Sequence, residues 1–236
     1  MGSWKKVMLK ISGEAFLGKH SHGQDLEAVE SLASDISSVV KSNIQLCIVV
    51  GGGNIARGST MDLTKIDRAR ADYMGMLGTV INALALKEAI EKQGQPARVM
   101  SALEIESVSE PFIRARALRH FEKGRVLILA AGTGNPFFTT DTCASLRAIE
   151  LEADILLKAT KVDGVYDCDP MQNEHAKKYD TLTFTDTITK QLGVMDLTAL
   201  SMCMEHNLPI VVFNFKEDGN ICKVVGGDTI DTLVNN

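Results

Sequence analysis

No apolar run in this chain approaches the roughly 20 residues that a membrane-spanning helix needs, which excludes such a helix. The Met1 end has no apolar stretch of the secretory kind and runs straight into a strand pattern, so no leader peptide is expected. Gly2 follows Met1, but Lys6 breaks the myristoylation pattern. Cysteine is sparse: five residues, widely separated and without a CxxC pair, fit reduced thiols and a cytoplasmic location. His20 and His22 have no companion ligands, so they read as a solvated loop and no direct metal ligand is assigned. The GxxxxGK[ST] loop is missing, because Gly18-Lys19 is followed by His20, and the protein-kinase signatures are missing as well. Any phosphoryl chemistry therefore belongs to neither of those groups. A formal net charge of −5 gives no general pull towards nucleic acid or an anionic membrane. A phosphorylated ligand would need locally placed amides and cations.

What is present is a soluble globule. Its 236 residues, 45% hydrophobic and 23% charged, can bury a large core. Short apolar runs at Lys5 to Ile11, Gln45 to Val50, Ala97 to Met100, Arg125 to Ala131, Ile155 to Ala159, Ile210 to Asn214 and Thr229 to Val234 read as strands. Between them lie helical patterns at Leu26 to Val40, Ile66 to Gln93, Phe112 to Glu122, Asp141 to Glu152, Thr185 to Leu192 and Asp196 to His206. In the longest, Ala69, Tyr73, Leu77, Val80, Ile81, Leu84 and Ile90 are expected on the buried side, with Met74, Met76 and Gly78 in close packing. The alternation predicts an α/β fold, a three-layer αβα sandwich around a mainly parallel sheet. No repeat or linker divides the chain.

In such a sheet, loops beyond the carboxyl ends of strands gather at one edge. Four polar loops fall there: Lys10 with its Ser-Gly turn, Gly51 to Arg57, Gly132 to Asp141, and Thr160 to Asp169. The third dominates. A strand, a glycine-bearing loop and a helix start point amides and a positive helix end at an anion. Gly132, Gly134, Thr133, Asn135, Thr139 and Thr140 supply permissive backbone and short polar groups, beside Pro136, Phe137 and Phe138. Gly51-x-Gly53-x-x-Ala56 also satisfies a dinucleotide fingerprint, making an oxidoreductase a rival. It follows the second strand, however, and the acidic residue at the right distance, Asp72, lies within a helical pattern. Arg57 better suits a phosphate that gains charge during transfer.

KISGE (from Lys10), GGGNIARG (from Gly51), DYMGMLGTVINALAL (from Asp72), AGTGNPFFTTDT (from Ala131), LKATKVDGVYDCDP (from Leu157) and VMDLTAL (from Val194) occur in this order over nearly the whole chain. Together they resemble the bacterial uridylate kinases of the amino acid kinase superfamily. GTGNPFFTTD with KATKVDGVY carries the specific part of the likeness; GGGN alone indicates only the superfamily. The resemblance implies one amino acid kinase domain over residues 1–236, with a UMP lobe (roughly 1–150) and an ATP lobe (151–236) that are not independent. It implies transfer of phosphate from MgATP to UMP, with Mg2+ on the ATP phosphates. Lys10, Ser12, Gly13, Gly53 and Arg57 would hold ATP phosphates, and Thr160, Tyr166 and Asp169 the adenosine end. Gly52, Asp72 and the run Thr133, Gly134, Asn135, Pro136, Phe137, Phe138, Thr139 and Thr140 would hold UMP, with Asp72 on the ribose hydroxyls. Lys10 and Arg57 would be catalytic, with Asp141 organising the cations or magnesium.

The resemblance further implies a homohexamer, inhibition by UTP and a response to GTP. Ser21 to Asp25 depart from the family's GFGID-like loop near its GTP region, so a blunted GTP response is expected. A sister enzyme acting on carbamate or acetylglutamate would lack NPFFTT. A nucleotide sensor would not need Lys10, Arg57 and Asp141 together.

Overall fold

The structure, a computed structural model, describes residues 4–40, 44–56, 64–168, 170, 172–173, 175–217, 219–226 and 232–236. The first half runs β1 (Lys6–Ile11), α1 (Leu26–Val40), β2 (Gln45–Val50), α2 (Arg68–Lys92), β3 (Ala97–Ser101), β4 (Glu110–Pro111), α3 (Arg114–Glu122), β5 (Val126–Ala130) and α4 (Thr140–Glu150). It continues as β6 (Ile155–Thr160), β7 (Val165–Tyr166), β8 (Lys178–Tyr179), β9 (Thr181–Thr183), α5 (Phe184–Thr189), α6 (Leu197–Glu205), β10 (Ile210–Asn214), α7 (Asn220–Gly226) and β11 (Thr232–Asn235). Among the described residues nine strands form one sheet, ordered β4-β3-β5-β2-β1-β6-β10-β11-β9, while β7 and β8 make a separate hairpin. Every pairing in the large sheet is parallel except β10 with β11.

Alternation along the central strand sorts the two cores. Val7, Leu9 and Ile11 face α1, α2 and α7, whereas Met8 faces α3, α4 and α6. The expected αβα sandwich is the fold found. Lys10 shares the face of Met8 and is buried, not solvated as a strand-end lysine usually is. The very short strands β4, β7, β8 and β9, and α7, were not expected, since two- and three-residue strands carry no period to read. Part of the last expected strand, residues 229–231, lies outside the described residues.

The expected buried side of α2 needs correction. Val80 and Ile90 are buried, but Tyr73, Leu77 and Ile81 are 41%, 47% and 47% exposed, and Met74 is exposed too. The core side is instead made by Ala71, Met76, Gly78, Thr79, Asn82, Ala83, Leu86 and Ala89. Close approach to the sheet and its loops favours small residues at Ala71, Gly78, Thr79 and Ala83, and Tyr73, Leu77 and Ile81 turn outward. On α4, likewise, the small Cys143, Ala144 and Ala148 are buried, while Leu146 and Ile149 are half-buried.

Candidate active site

Lys10 and Lys158 lie opposite each other in register on the parallel pair β1 and β6. Both side chains point to the layer of α4, whose first turn carries Asp141. The Lys10 ammonium is 2.8 Å from Asp141 Oδ1, and Lys158 Nζ donates to Asp141 Oδ2 at 2.8 Å. Lys158 also donates to the Val194 carbonyl. Burial would raise the Asp141 pKa, but the two lysines outweigh it and hold the carboxyl below its ordinary value. Burial, partly offset by Asp141, pushes the Lys158 ammonium down. The cluster carries two positive charges against one negative, a surplus suited to an incoming anion.

Backbone crowding builds the cleft beside this cluster. A Cβ on Gly51 would stand 2.7 Å from the Gly13 nitrogen, and one on Gly52 would stand 2.8 Å from the Thr79 nitrogen. Only glycine lets these two loops and α2 approach so closely. Asn82, fully buried on α2, donates to the Gly51 carbonyl at 2.7 Å and to Asn54 Oδ1 at 2.7 Å. Thr79, one helical turn away, accepts the N–H of Ala131 at 2.7 Å. Ala131 is a non-glycine residue at φ 62°, so this hydroxyl fixes the backbone where the third loop leaves β5. Thus α2 fastens both the Gly51 and the Gly132 loops.

The cleft encloses about 330 Å3 and is lined by Lys10, Ser12, Gly13, Gly52, Gly53, Asp72, Thr133, Asn135, Phe138, Thr139 and Thr140, among others. These are sequence-predicted residues for both phosphates and UMP, brought together. Gly134, Pro136 and Phe137 do not line it. Gly134 packs against Ala102, and the Phe137 ring is 70% exposed. Phe137 contributes its backbone instead, donating N–H to Asp72 Oδ2 at 2.8 Å. Asp72 also accepts from Arg68 Nε at 3.0 Å, so its carboxylate already organises the loop that faces it.

A second cleft of about 480 Å3 is lined by Thr160, Val162, Tyr166, Leu192, Gly193 and Val194, among others. Thr160 Oγ1 donates to the Val162 carbonyl at 2.8 Å. Tyr166 donates to Asp163 Oδ1 at 2.6 Å, which pushes the phenol up to about 12. Lys158 bonds Asp141 on one side and Val194, a wall residue of this second cleft, on the other. Arg57 and Asp169 lie outside the described residues. Lys158 was missed by sequence reasoning although ILLKAT, like KVMLKI, sets one lysine near the end of an apolar strand. Thr79 and Asn82, polar residues inside a helical run, left no comparable signal.

A mainly parallel αβα sheet whose buried cationic cluster reaches one cleft through Lys10 and bonds the wall of a second through Lys158 defines a phosphotransferase type of site. Residues 5–214 match the amino acid kinase family, and the chain belongs to that family. It is similar to the crystal structure of UMP kinase from Bacillus anthracis, with 38% identity, coverage of 99% of this chain and 97% of that one, and a TM-score of 0.95. UMP kinase from Ureaplasma parvum matches at 38% identity over the full length of both chains, with a TM-score of 0.94. Uridylate kinase from Archaeoglobus fulgidus matches at 28% identity, covering 97% of this chain and 99% of that one, with a TM-score of 0.74.

Proposed function

We propose that this chain transfers the terminal phosphoryl group of ATP to UMP, giving UDP and ADP, as a step in pyrimidine nucleotide synthesis in the cytoplasm. The observation that carries the reading is the buried Lys10–Asp141–Lys158 cluster, which opens to one cleft through Lys10 and bonds the wall of the other through Lys158. Full-length likeness to UMP kinases supports the choice of acceptor. In this reading the first 150 or so residues supply the acceptor cleft, with Gly52, Asp72 and the 133–140 loop around UMP. The remainder supplies the donor cleft, with Thr160, Tyr166 and Asp169 at the adenosine end.

A UMP phosphate oxygen attacks the γ-phosphorus in line. A new P–O bond forms as the bond from the γ-phosphorus to the β–γ bridging oxygen breaks, and ADP leaves with that electron pair. Little covalent chemistry is asked of the protein. It holds the two phosphates in line and places fixed positive charge where negative charge spreads. Lys10 and Lys158 supply that charge, Asp141 holds both ammonium groups in place, and Arg57, Ser12, Gly13 and Gly53 complete the phosphate cradle.

Both oxygens of Asp141, the carboxylate at the phosphate cradle, face lysines. That donor set fits Mg2+ carried on nucleotide phosphates, as this ion commonly is. Bound there, it would neutralise part of the phosphate charge. The reading includes a homohexamer, UTP as inhibitor and GTP as an effector of blunted action. The exposed stripe of Tyr73, Leu77 and Ile81, spaced one turn apart on α2, supports self-association.

An ADP-release assay across UMP, CMP, carbamate and acetylglutamate tests the acceptor. Turnover with UMP far above the others is expected. Comparable turnover with carbamate or acetylglutamate would move the chain to a sister activity.

A further inference from the structure

Asp196 lines neither cleft, but it bonds Thr139, which lines the first, and follows the 190–194 wall of the second by two residues. It caps α6 by accepting the Ala199 N–H at 3.0 Å. The same carboxylate accepts the Thr142 hydroxyl at 2.9 and 3.0 Å and the Thr139 hydroxyl at 2.5 Å. Thr139 is itself the N-cap of α4, its oxygen accepting from the amides of Asp141 and Thr142 at 3.0 and 3.2 Å. One carboxylate thus secures two helix starts, with charge-assisted bonds that neutral partners would not match.

The chain on each side of this knot matters. Residues 190–194 form a wall of the donor cleft, and Val194 holds Lys158 through its carbonyl. Thr139 and Thr140 line the acceptor cleft, and Asp141 follows them in the first turn of α4. Displacing the donor wall would therefore pull on the acceptor loop by two routes, Asp196 to Thr139 and Val194 through Lys158 to Asp141.

We propose that Asp196 is a positioning residue that couples occupancy of the donor cleft to the geometry of the acceptor loop. The proposal rests on the phosphotransferase reading above. Asn at this position keeps an oxygen for the Ala199 amide, and Asn caps helices as well as Asp does. It presents an NH2 in place of the second oxygen, so one threonine hydroxyl loses its acceptor.

The test is calorimetric titration of UMP into the full chain, with and without a non-hydrolysable ATP analogue, in wild type and Asp196→Asn. The bound analogue should change wild-type UMP affinity by about fivefold or more, the range of ordinary coupling between sites. In Asp196→Asn the two titrations should agree within about twofold at unchanged melting temperature, with kcat lowered and KM for UMP raised. Thr142→Val, which removes one of the hydroxyls, should lose part of the coupling, and Thr142→Ser should restore it. These threonine variants also decide the matter if Asp196→Asn does not fold. Full coupling in the variants would overturn the proposal, whatever their melting temperatures, and so would a wild type that binds UMP without coupling. A wild type that binds no UMP would instead overturn the acceptor assignment.

Discussion

Lys10 and Lys158 occupy paired register positions on neighbouring parallel strands, near the carboxyl edge of the sheet. Two ammonium groups so placed repel one another, and Asp141, 2.8 Å from each, offsets that repulsion in a buried setting. The surplus positive charge gains most from a partner whose own charge grows during reaction.

Lys10→Ala should therefore act on turnover more than on nucleotide affinity. Loss of one preorganised donor predicts a fall in kcat on the order of 10²–10³. Steady-state kinetics, with circular dichroism to confirm folding, check it. Since both lysines share one carboxylate, Lys10→Ala and Lys158→Met should be non-additive in a double-mutant cycle by more than about 0.5 kcal/mol. A folded Lys10→Ala with near-native kcat removes Lys10 from the mechanism.

The pH dependence follows from Asp141. Despite burial, Lys10 and Lys158 hold its carboxyl below the ordinary 3.8. A depressed folded-state pKa means that its stabilising contribution is complete above about 3.8 and disappears as pH falls through the lower folded value. Asp141→Asn breaks a buried ion cluster, a change that typically costs about 3–5 kcal/mol. Denaturant titrations should show the gap between wild type and variant constant from neutral pH down to about 4 and closing only below that. A gap already closing near neutral pH would contradict the assignment.

Asp72 faces the acceptor cleft while accepting from the Phe137 amide and Arg68. Asp72→Asn keeps an oxygen for that amide but loses the charge, weakening a charged hydrogen bond of roughly 1.5–3 kcal/mol. KM for UMP should rise at least about tenfold, the equivalent of the lower bound, with KM for ATP little changed. Equal rises for both substrates would place Asp72 outside the acceptor site.

Leu77 stands at the middle of the uncovered stripe on α2. Leu77→Glu puts charge into that surface without disturbing the core side of the helix. Sedimentation velocity should show smaller assemblies than wild type at equal concentration. An unchanged distribution would mean that the stripe is not the contact.

Much of this could be read from the chain itself. Strands such as VLILA and QLCIVV are continuous apolar runs because both faces of the sheet are covered, and the helices between them point to mainly parallel pairing. Lys10 was legible because a cation ending an apolar strand before a Ser-Gly turn is unusual, and the same reasoning applied to Lys158 would have found its partner. The buried side of α2 was not legible. Sequence periodicity shows where large apolar residues lie, but Gly52 and Thr79 demand small residues at the sheet, leaving Tyr73, Leu77 and Ile81 outside. Nor could periodicity reveal Asp196, whose partners Thr139 and Thr142 lie far away along the chain.

The order of strands also has a consequence for how the chain is made. Val7 in β1 pairs with Leu46 on one side but with Ile155 on the other. During synthesis, one edge of the central strand stays without hydrogen-bond partners until β6 has left the ribosome. An apolar strand with an open edge is a template for wrong pairing, and long-range ladders are slow to close. A nascent chain ending near residue 150 already has Lys10 and Asp141, yet its sheet is still open in the middle. The ladder that closes it is the one that delivers Lys158, so the reactive cluster is completed only when the sheet is.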